Sequence, residues 1–163
     1  MSSTRICPRS LVVLLASLAW ILLSACSGDR YSSDGSSPDK SDPAAYTRAV
    51  VEAAIERYDA AGLDATVAYH SSQHSVDGQW YVFIIDDDGY TIAHPNPAFL
   101  GRDPSERVDS TGYFYGDELT GAPAEGRWVS YVLLNPETGD ERQKHTWAVR
   151  HDGYVFASGW YED

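Results

Sequence analysis

Gly78-Gln79-Trp80-Tyr81-Val82-Phe83-Ile84-Ile85-Asp86-Asp87-Asp88-Gly89-Tyr90-Thr91-Ile92-Ala93-His94-Pro95-Asn96-Pro97 is the stretch on which the fold turns. Its first half, Trp80 to Ile85, is an uncharged run of aromatic and β-branched residues. Such a run fits a strand covered on both faces better than one with a wet side. Asp88-Gly89 supplies residues that tolerate positive φ, as a tight hairpin turn requires. Thr91 to Ala93 is the returning strand. His94-Pro95 ends it, because proline lacks the N–H of a central ladder and restricts the residue before it. The stretch predicts a buried hairpin that delivers an imidazole to a strand end, the wall of a small-molecule pocket.

On the N-terminal side, Asp42-Pro43 opens a long helix with Asp as N-cap and Pro in the first turn. Val50, Val51, Ala54, Ile55 and Tyr58 recur at helical spacing. Gly62 closes the helix as a C′ residue, and Leu63 to Tyr69 can form a second short one. On the C-terminal side, Asn96 to Gly112 is irregular and Gly116 to Ala124 reads as a short helix ended by Gly126. Arg127 to Leu134, Gln143 to Arg150 and Tyr154 to Tyr161 are three further strands, separated by turn signals at Asn135-Pro136, Thr138-Gly139-Asp140 and His151-Asp152-Gly153. The order predicts an α+β domain with a five-stranded antiparallel sheet. Trp128 and Val132 oppose Val129, Tyr131 and Leu133, while Phe156 and Trp160 oppose Val155, Ala157 and Tyr161. Both faces are therefore apolar, so the long helix covers one and the crossover, Asn96 to Ala124, covers the other. A pocket is expected under the crossover.

The chain of 163 residues is long enough for one domain with a real core. Arg5 and Arg9 precede an apolar run, Leu11 to Leu23, of thirteen residues. That is short for a membrane span and suited to a signal h-region. Leu23-Ser24-Ala25-Cys26 looks like a bacterial lipobox, making Cys26 the lipidation site and residues 1–25 a lipoprotein signal peptide. The alternative is an ordinary signal cleaved near Ala25. The other cysteine, Cys7, lies within the signal, so no intrachain disulfide is expected. Ser27 to Asp42 is rich in Ser, Gly and Asp and cannot bury enough apolar surface to order itself. Residues 26–42 read as a lipidated tether spanning about 20–25 Å, and residues 43–163 as the domain. Loss of the signal lowers the basic count from 12 to 10 against 24 acids, a net charge of −14. That argues against nucleic acid and against electrostatic adhesion to anionic lipid.

Tyr81-Val82-Phe83-Ile84, Asp88-Gly89, His94-Pro95, Gly101, Gly126-x-Trp128-Val129-x-Tyr131, Asn135-Pro136, Lys144-x-x-Trp147 and Ser158-Gly159-Trp160-Tyr161 fall in the order seen in Cache domains. The resemblance is to the single-Cache type, the extracytoplasmic sensor modules of bacterial chemoreceptors, histidine kinases and cyclases, and covers about Ala44 to Tyr161. It implies a PAS-like sheet with a long N-terminal helix, and small molecules, often short carboxylates, bound under the crossover. Family members commonly carry Tyr where this chain has Trp147, so a ligand hydroxyl contact is missing. Receptors also continue into a transmembrane helix and cytoplasmic output, whereas this sequence stops at Asp163. A separate transmembrane signalling partner is therefore expected.

Within that frame, His94 is a candidate hydrogen-bond donor to a carboxylate, tunable near neutral pH; the bland alternative is a histidine pinning its turn. Lys144, a lone cation in a strand built for burial, calls for an anion, unless it snorkels to water. Trp80, Tyr81, Trp128, Tyr131 and Trp147 are expected to wall the cavity, although any one of them could be plain core. His70 and His74 have metal-ligand spacing without a completing acid or cysteine, and Asp86-Asp87-Asp88-Gly89 lacks the later ligands of a calcium loop. No nucleophile elbow, phosphate loop or metalloprotease motif is present, so no enzyme activity, metal or cofactor is expected. The reading is a lipid-anchored, extracytoplasmic small-molecule sensor. The alternative is a ligand-free interaction module that modulates an envelope protein.

Overall fold

Residues 38–162 are described by a computed structural model; the signal, Cys26 and most of the expected tether lie outside the described residues. Helix α1 runs Pro43–His70, capped by the Asp42 carboxylate, which accepts a hydrogen bond from the Ala45 N–H at 3.0 Å. Gly62 interrupts it with φ 80° and ψ 174°. The helix therefore breaks at Gly62 and a second helical segment follows it, as the sequence predicts. Ordered contacts begin slightly before the predicted boundary, with Lys40 paired to Asp77 at 2.5 Å.

The sheet consists of β1 (Phe83–Ile85), β2 (Thr91–Ala93), β3 (Arg127–Leu134), β4 (Glu141–His151) and β5 (Tyr154–Tyr161) in the order β2-β1-β5-β4-β3, all pairs antiparallel. β3, β5 and the returning strand β2 have their predicted limits. β1 is shorter than the buried run that contains it: Trp80 to Ile85 are all buried, but Trp80 bridges Asp77 instead of joining the ladder. The hairpin closes with the Gly89 N–H donating to the Asp86 carbonyl at 3.0 Å, and Gly89 has φ 90°, a conformation glycine adopts without steric cost. The C-terminal strand β5 is central. It registers Phe83 against Ala157 on one side and Lys144 against Tyr161 on the other.

Alternation splits the apolar residues into two cores. On one face Val82, Ile84, Ala93 and Phe156 pack against Val51 and Ala54 of α1. On the other, Tyr81, Phe83, Ile85, Val129, Tyr131, Val155 and Ala157 pack against Tyr115 and Leu119. Leu119 belongs to the short helix α2 (Gly116–Thr120), shorter than predicted because Gly121 caps it. The rest of the crossover carries two 3-10 turns, Pro97–Phe99 and Pro104–Glu106, the second closed by a reciprocal capping box between Asp103 and Glu106. The predicted division of labour holds: the long helix covers one face and the crossover the other.

Candidate ligand-binding site

Lys144 sits in the middle of the crossover-side face with 1% of its surface exposed. Its cross-strand neighbours are Tyr131 on β3 and Tyr161 on β5, so the ladder itself places a lysine between two phenols. The ammonium donates to the Tyr81 hydroxyl at 2.7 Å. It lies 4.1 Å from the Tyr81 ring centre and 5.0 Å from that of Tyr161, favourable positions for a cation above an aromatic face. The Tyr81 and Tyr161 hydroxyls are 3.3 Å apart, and the Thr146 hydroxyl donates to that of Tyr131 at 2.9 Å. Among the described residues no carboxylate bonds to this lysine. Burial alone lowers its pKa from 10.5 to about 7, since the charged form loses its hydration.

The crossover brings a second cation. Arg107, 3% exposed, donates from Nη2 to the Thr91 hydroxyl at 3.0 Å and to the Arg102 carbonyl at 3.4 Å. Its Nη1 is buried and has no hydrogen-bond partner among the described residues. Tyr115 stacks flat on Tyr131, ring centres 3.8 Å apart, and receives a long hydrogen bond from Arg102 at 3.4 Å. Tyr81, Phe83, Thr91, His94, Phe99, Arg102, Arg107, Tyr115, Leu119, Tyr131, Leu133 and Lys144 line a pocket of about 30 Å³. Among the described residues no Asp or Glu lines it. The volume suits about two to three water-sized groups.

His94 is at this wall, but as a neutral ring. Its Nδ1 accepts the Asn96 N–H at 2.9 Å, which leaves Nε2 to carry the proton. The ring stacks on Phe99 at 4.5 Å and meets Tyr81 edge-on at 4.9 Å. Burial, with the nearby Lys144 charge, pulls its pKa down to about 3. The expectation of a histidine tunable near neutral pH is therefore corrected: His94 offers a neutral N–H, and the group poised near pH 7 is Lys144.

Of the residues singled out in the sequence, the fold brings Tyr81, His94, Tyr131 and Lys144 together. It does not bring Trp80, Trp128 or Trp147 to them. Trp80 donates its indole N–H to the Thr47 hydroxyl of α1 at 2.9 Å and meets Tyr46 edge-on. Trp147 packs with the helix-side core, under Arg48 at 4.5 Å, and Trp128 lies between Trp147 and Trp160, 5.0 Å from each. The physical reason is the two-residue period of a strand. Trp147 follows Lys144 by three positions and Trp128 precedes Tyr131 by three, so each points to the opposite face. Arg102, Arg107, Tyr115 and Phe99 were missed. Their one sequence signal is that Arg102 and Arg107 are the only cations in an otherwise acidic crossover. The spaced histidines part as well: His70 is buried at the end of α1 and His74 is exposed in the following turn.

A family model described as single Cache domain 2 matches residues 50–161. No curated protein matches the chain at a significant level. Among solved structures, the chain resembles a methyl-accepting chemotaxis protein from Vibrio parahaemolyticus, at 20% identity and TM-score 0.60, covering 76% of this chain and 88% of that one. It also resembles a Cache chemosensory domain solved as a structural basis for carboxylic acid recognition, at 20% identity and TM-score 0.58, covering 72% and 91%. A third is the periplasmic sensor domain of a chemotaxis protein, at 22% identity and TM-score 0.55, covering 71% and 88%. At such identities these likenesses speak for the fold, which is the helix-and-sheet arrangement described above. With the family model spanning both cores and the pocket between sheet and crossover, the chain belongs to the single Cache domain 2 family.

Proposed function

We propose that the domain is an extracytoplasmic sensor that binds a small organic acid between the sheet and the crossover. In this reading it is held to a membrane through lipid on Cys26 and relays occupancy to a transmembrane signalling partner. The observation that carries the ligand class is the pair of buried cations, Lys144 and Arg107, in a cavity that no acid among the described residues lines. An uncompensated buried charge is costly, and a carboxylate would satisfy both: one oxygen toward the Lys144 ammonium and Tyr81 hydroxyl, the other toward the Nη1 of Arg107. The His94 N–H and the aromatic walls would complete the site. Carboxylic acid recognition by the similar Cache chemosensory domain is in keeping with this class.

Thermal-shift screening of carboxylates, amino acids and amines is the first test, because a ligand that binds only the folded state raises the melting temperature. Carboxylates are expected to be the class that does so. Calorimetry should then show Arg107→Leu and Lys144→Met each weakening the best acid by roughly 30- to 1000-fold, the effect of losing a buried charged contact. A domain stabilised by amines but by no carboxylate would overturn the proposal.

A further inference from the structure

The face of the sheet opposite the pocket is only partly covered. There α1 lies over Val82, Ile84, Ala93 and Phe156, while β3 is the outermost strand beyond β4. Between α1 and the turn entering β3 a groove of about 340 Å³ stays open. Val51, Ile55, Trp147 and Val149 give it an apolar floor, and Glu52, Glu56 and Glu125 stand around it. The three acids are exposed, and among the described residues none of them joins an ion pair. Arg48, one helical turn before Glu52, has the spacing to pair with it. Its guanidinium lies instead over the Trp147 ring at 4.5 Å and the Trp128 ring at 5.6 Å. The groove thus keeps a negative rim, with its one wall cation spent on an indole. Its wall residues on α1 recur at three- and four-residue spacing, so the groove follows the helix axis and suits a rod laid alongside.

We infer that this groove is the docking surface for a basic amphipathic helix of a different protein. The helix seats an apolar side chain on Ile55, Trp147 and Val149 and sets lysines or arginines against Glu52, Glu56 and Glu125. The inference rests on the proposed relay to a signalling partner and not on the ligand class, since groove and pocket lie on opposite faces of the sheet. Charge selects the occupant. The chain carries 24 acids against 12 bases, so a second copy would bring further acid to an acidic rim. Anionic lipid is repelled for the same reason. A basic segment is steered in from a distance and then held at short range by its apolar face. A bulky anchor in an apolar hollow with a charged rim is also the arrangement in which a few residues dominate an interface.

The test is fluorescence anisotropy on the full chain with a labelled Leu/Lys amphipathic helical peptide. A Leu/Glu peptide of inverted charge and a Ser/Lys peptide without the apolar face are the controls. The Leu/Lys peptide should bind at least about tenfold more tightly than either. Glu52→Lys with Glu56→Lys should weaken it by about tenfold more than Asp88→Lys with Glu137→Lys does. The second pair changes net charge equally at exposed sites outside the groove. Ile55→Gln, which alters no charge, should weaken it by about threefold or more. Carboxylate binding in the pocket should stay within about twofold of wild type in the groove variants, which also shows that they fold. If the distal reversal weakens the peptide as much as the groove reversal, the attraction belongs to the whole acidic surface and the inference falls. It falls equally if the Leu/Glu peptide binds as well, or if vesicles of anionic lipid displace the Leu/Lys peptide. Sedimentation showing a dimer that Glu52→Lys with Glu56→Lys dissolves would make the occupant a second copy and overturn it. Peptide docking in a chain that binds no carboxylate would remove the organic-acid reading and leave this one standing.

Discussion

At the scale of single residues, Lys144 carries the most physical consequence. Its folded-state pKa, about 7, lies below the ordinary lysine value of 10.5. Between those limits the unfolded chain binds more protons than the folded one, so stability rises as pH increases from about 7. The rise is readable up to about pH 10. Beyond that, Tyr81 and Tyr131, whose pKa values burial pushes well above 10, reverse the trend. The groups facing the ammonium are these phenols, Tyr161, His94 and, across the cavity, Arg107; none is an anion at neutral pH. Melting temperature against pH should thus climb between 7 and 10 in the wild type. Lys144→Met should flatten that climb and stabilise the ligand-free domain by about 1–3 kcal/mol at pH 7. Carboxylate affinity should behave oppositely. A bound anion holds the lysine charged, so affinity is level below pH 7 and falls by up to about tenfold per pH unit above it. His94→Gln should leave that break at pH 7 in place, because the His94 ring titrates far below it. A break that vanished in His94→Gln but persisted in Lys144→Met would reverse the assignment of roles.

At the scale of elements, the decisive feature is strand alternation, and it explains both what the pocket contains and what it lacks. β4 presents Lys144, Thr146 and Ala148 to the crossover and Trp147 and Val149 to α1. The segment through β1 likewise presents Tyr81, Phe83 and Ile85 one way and Val82 and Ile84 the other. Aromatic type favoured the tryptophans as cavity walls, whereas parity assigns them to the helix side. The turn before β3 is tied to that same side. Gly126 has φ +86°, and a Cβ there would lie 2.0 Å from the Trp147 ring. Gly126→Ala should accordingly destabilise the domain by about 2–4 kcal/mol, combining backbone strain with a steric clash. Adding Trp147→Leu should relieve the clash and leave the strain, so that paired denaturant titrations show non-additivity. If Gly126→Ala unfolds at the wild-type denaturant concentration, the close packing of this turn is not what fixes β3.

At the scale of the whole molecule, the central place of β5 ties the parts together. The last strand pairs with β1 near the start of the sheet and with β4 near its end. Both cores and the pocket therefore require the chain up to Tyr161, and ligand binding should stabilise the domain as a unit. Among the described residues no helix is long and apolar enough to cross a membrane. The attachment proposed for the domain is covalent lipid at Cys26. Cys26→Ser should move the protein from the detergent phase to the aqueous phase on partitioning; unchanged partitioning would remove the lipobox assignment.

What the sequence determined by itself was local: the Asp42 cap, the helix break at Gly62, the turn at Asp88-Gly89, the limits of β3 and β5, and the two apolar faces. Each follows from side-chain chemistry or from periods of two and 3.6 residues that act over a few neighbours. Ordered motifs were specific enough to indicate the family. The sequence also placed Lys144 as a cation out of keeping with its strand, and counting in twos would have removed Trp80, Trp128 and Trp147 from its company. Only the tertiary structure decided that Arg107 swings from the crossover to share the cavity and that His94 is a neutral ring stacked on Phe99. These depend on how a loop drapes over a sheet, set by packing between residues far apart in the chain. A pKa follows from burial in the same way, so a lysine near pH 7 and a histidine far below it belong to the fold and to no motif.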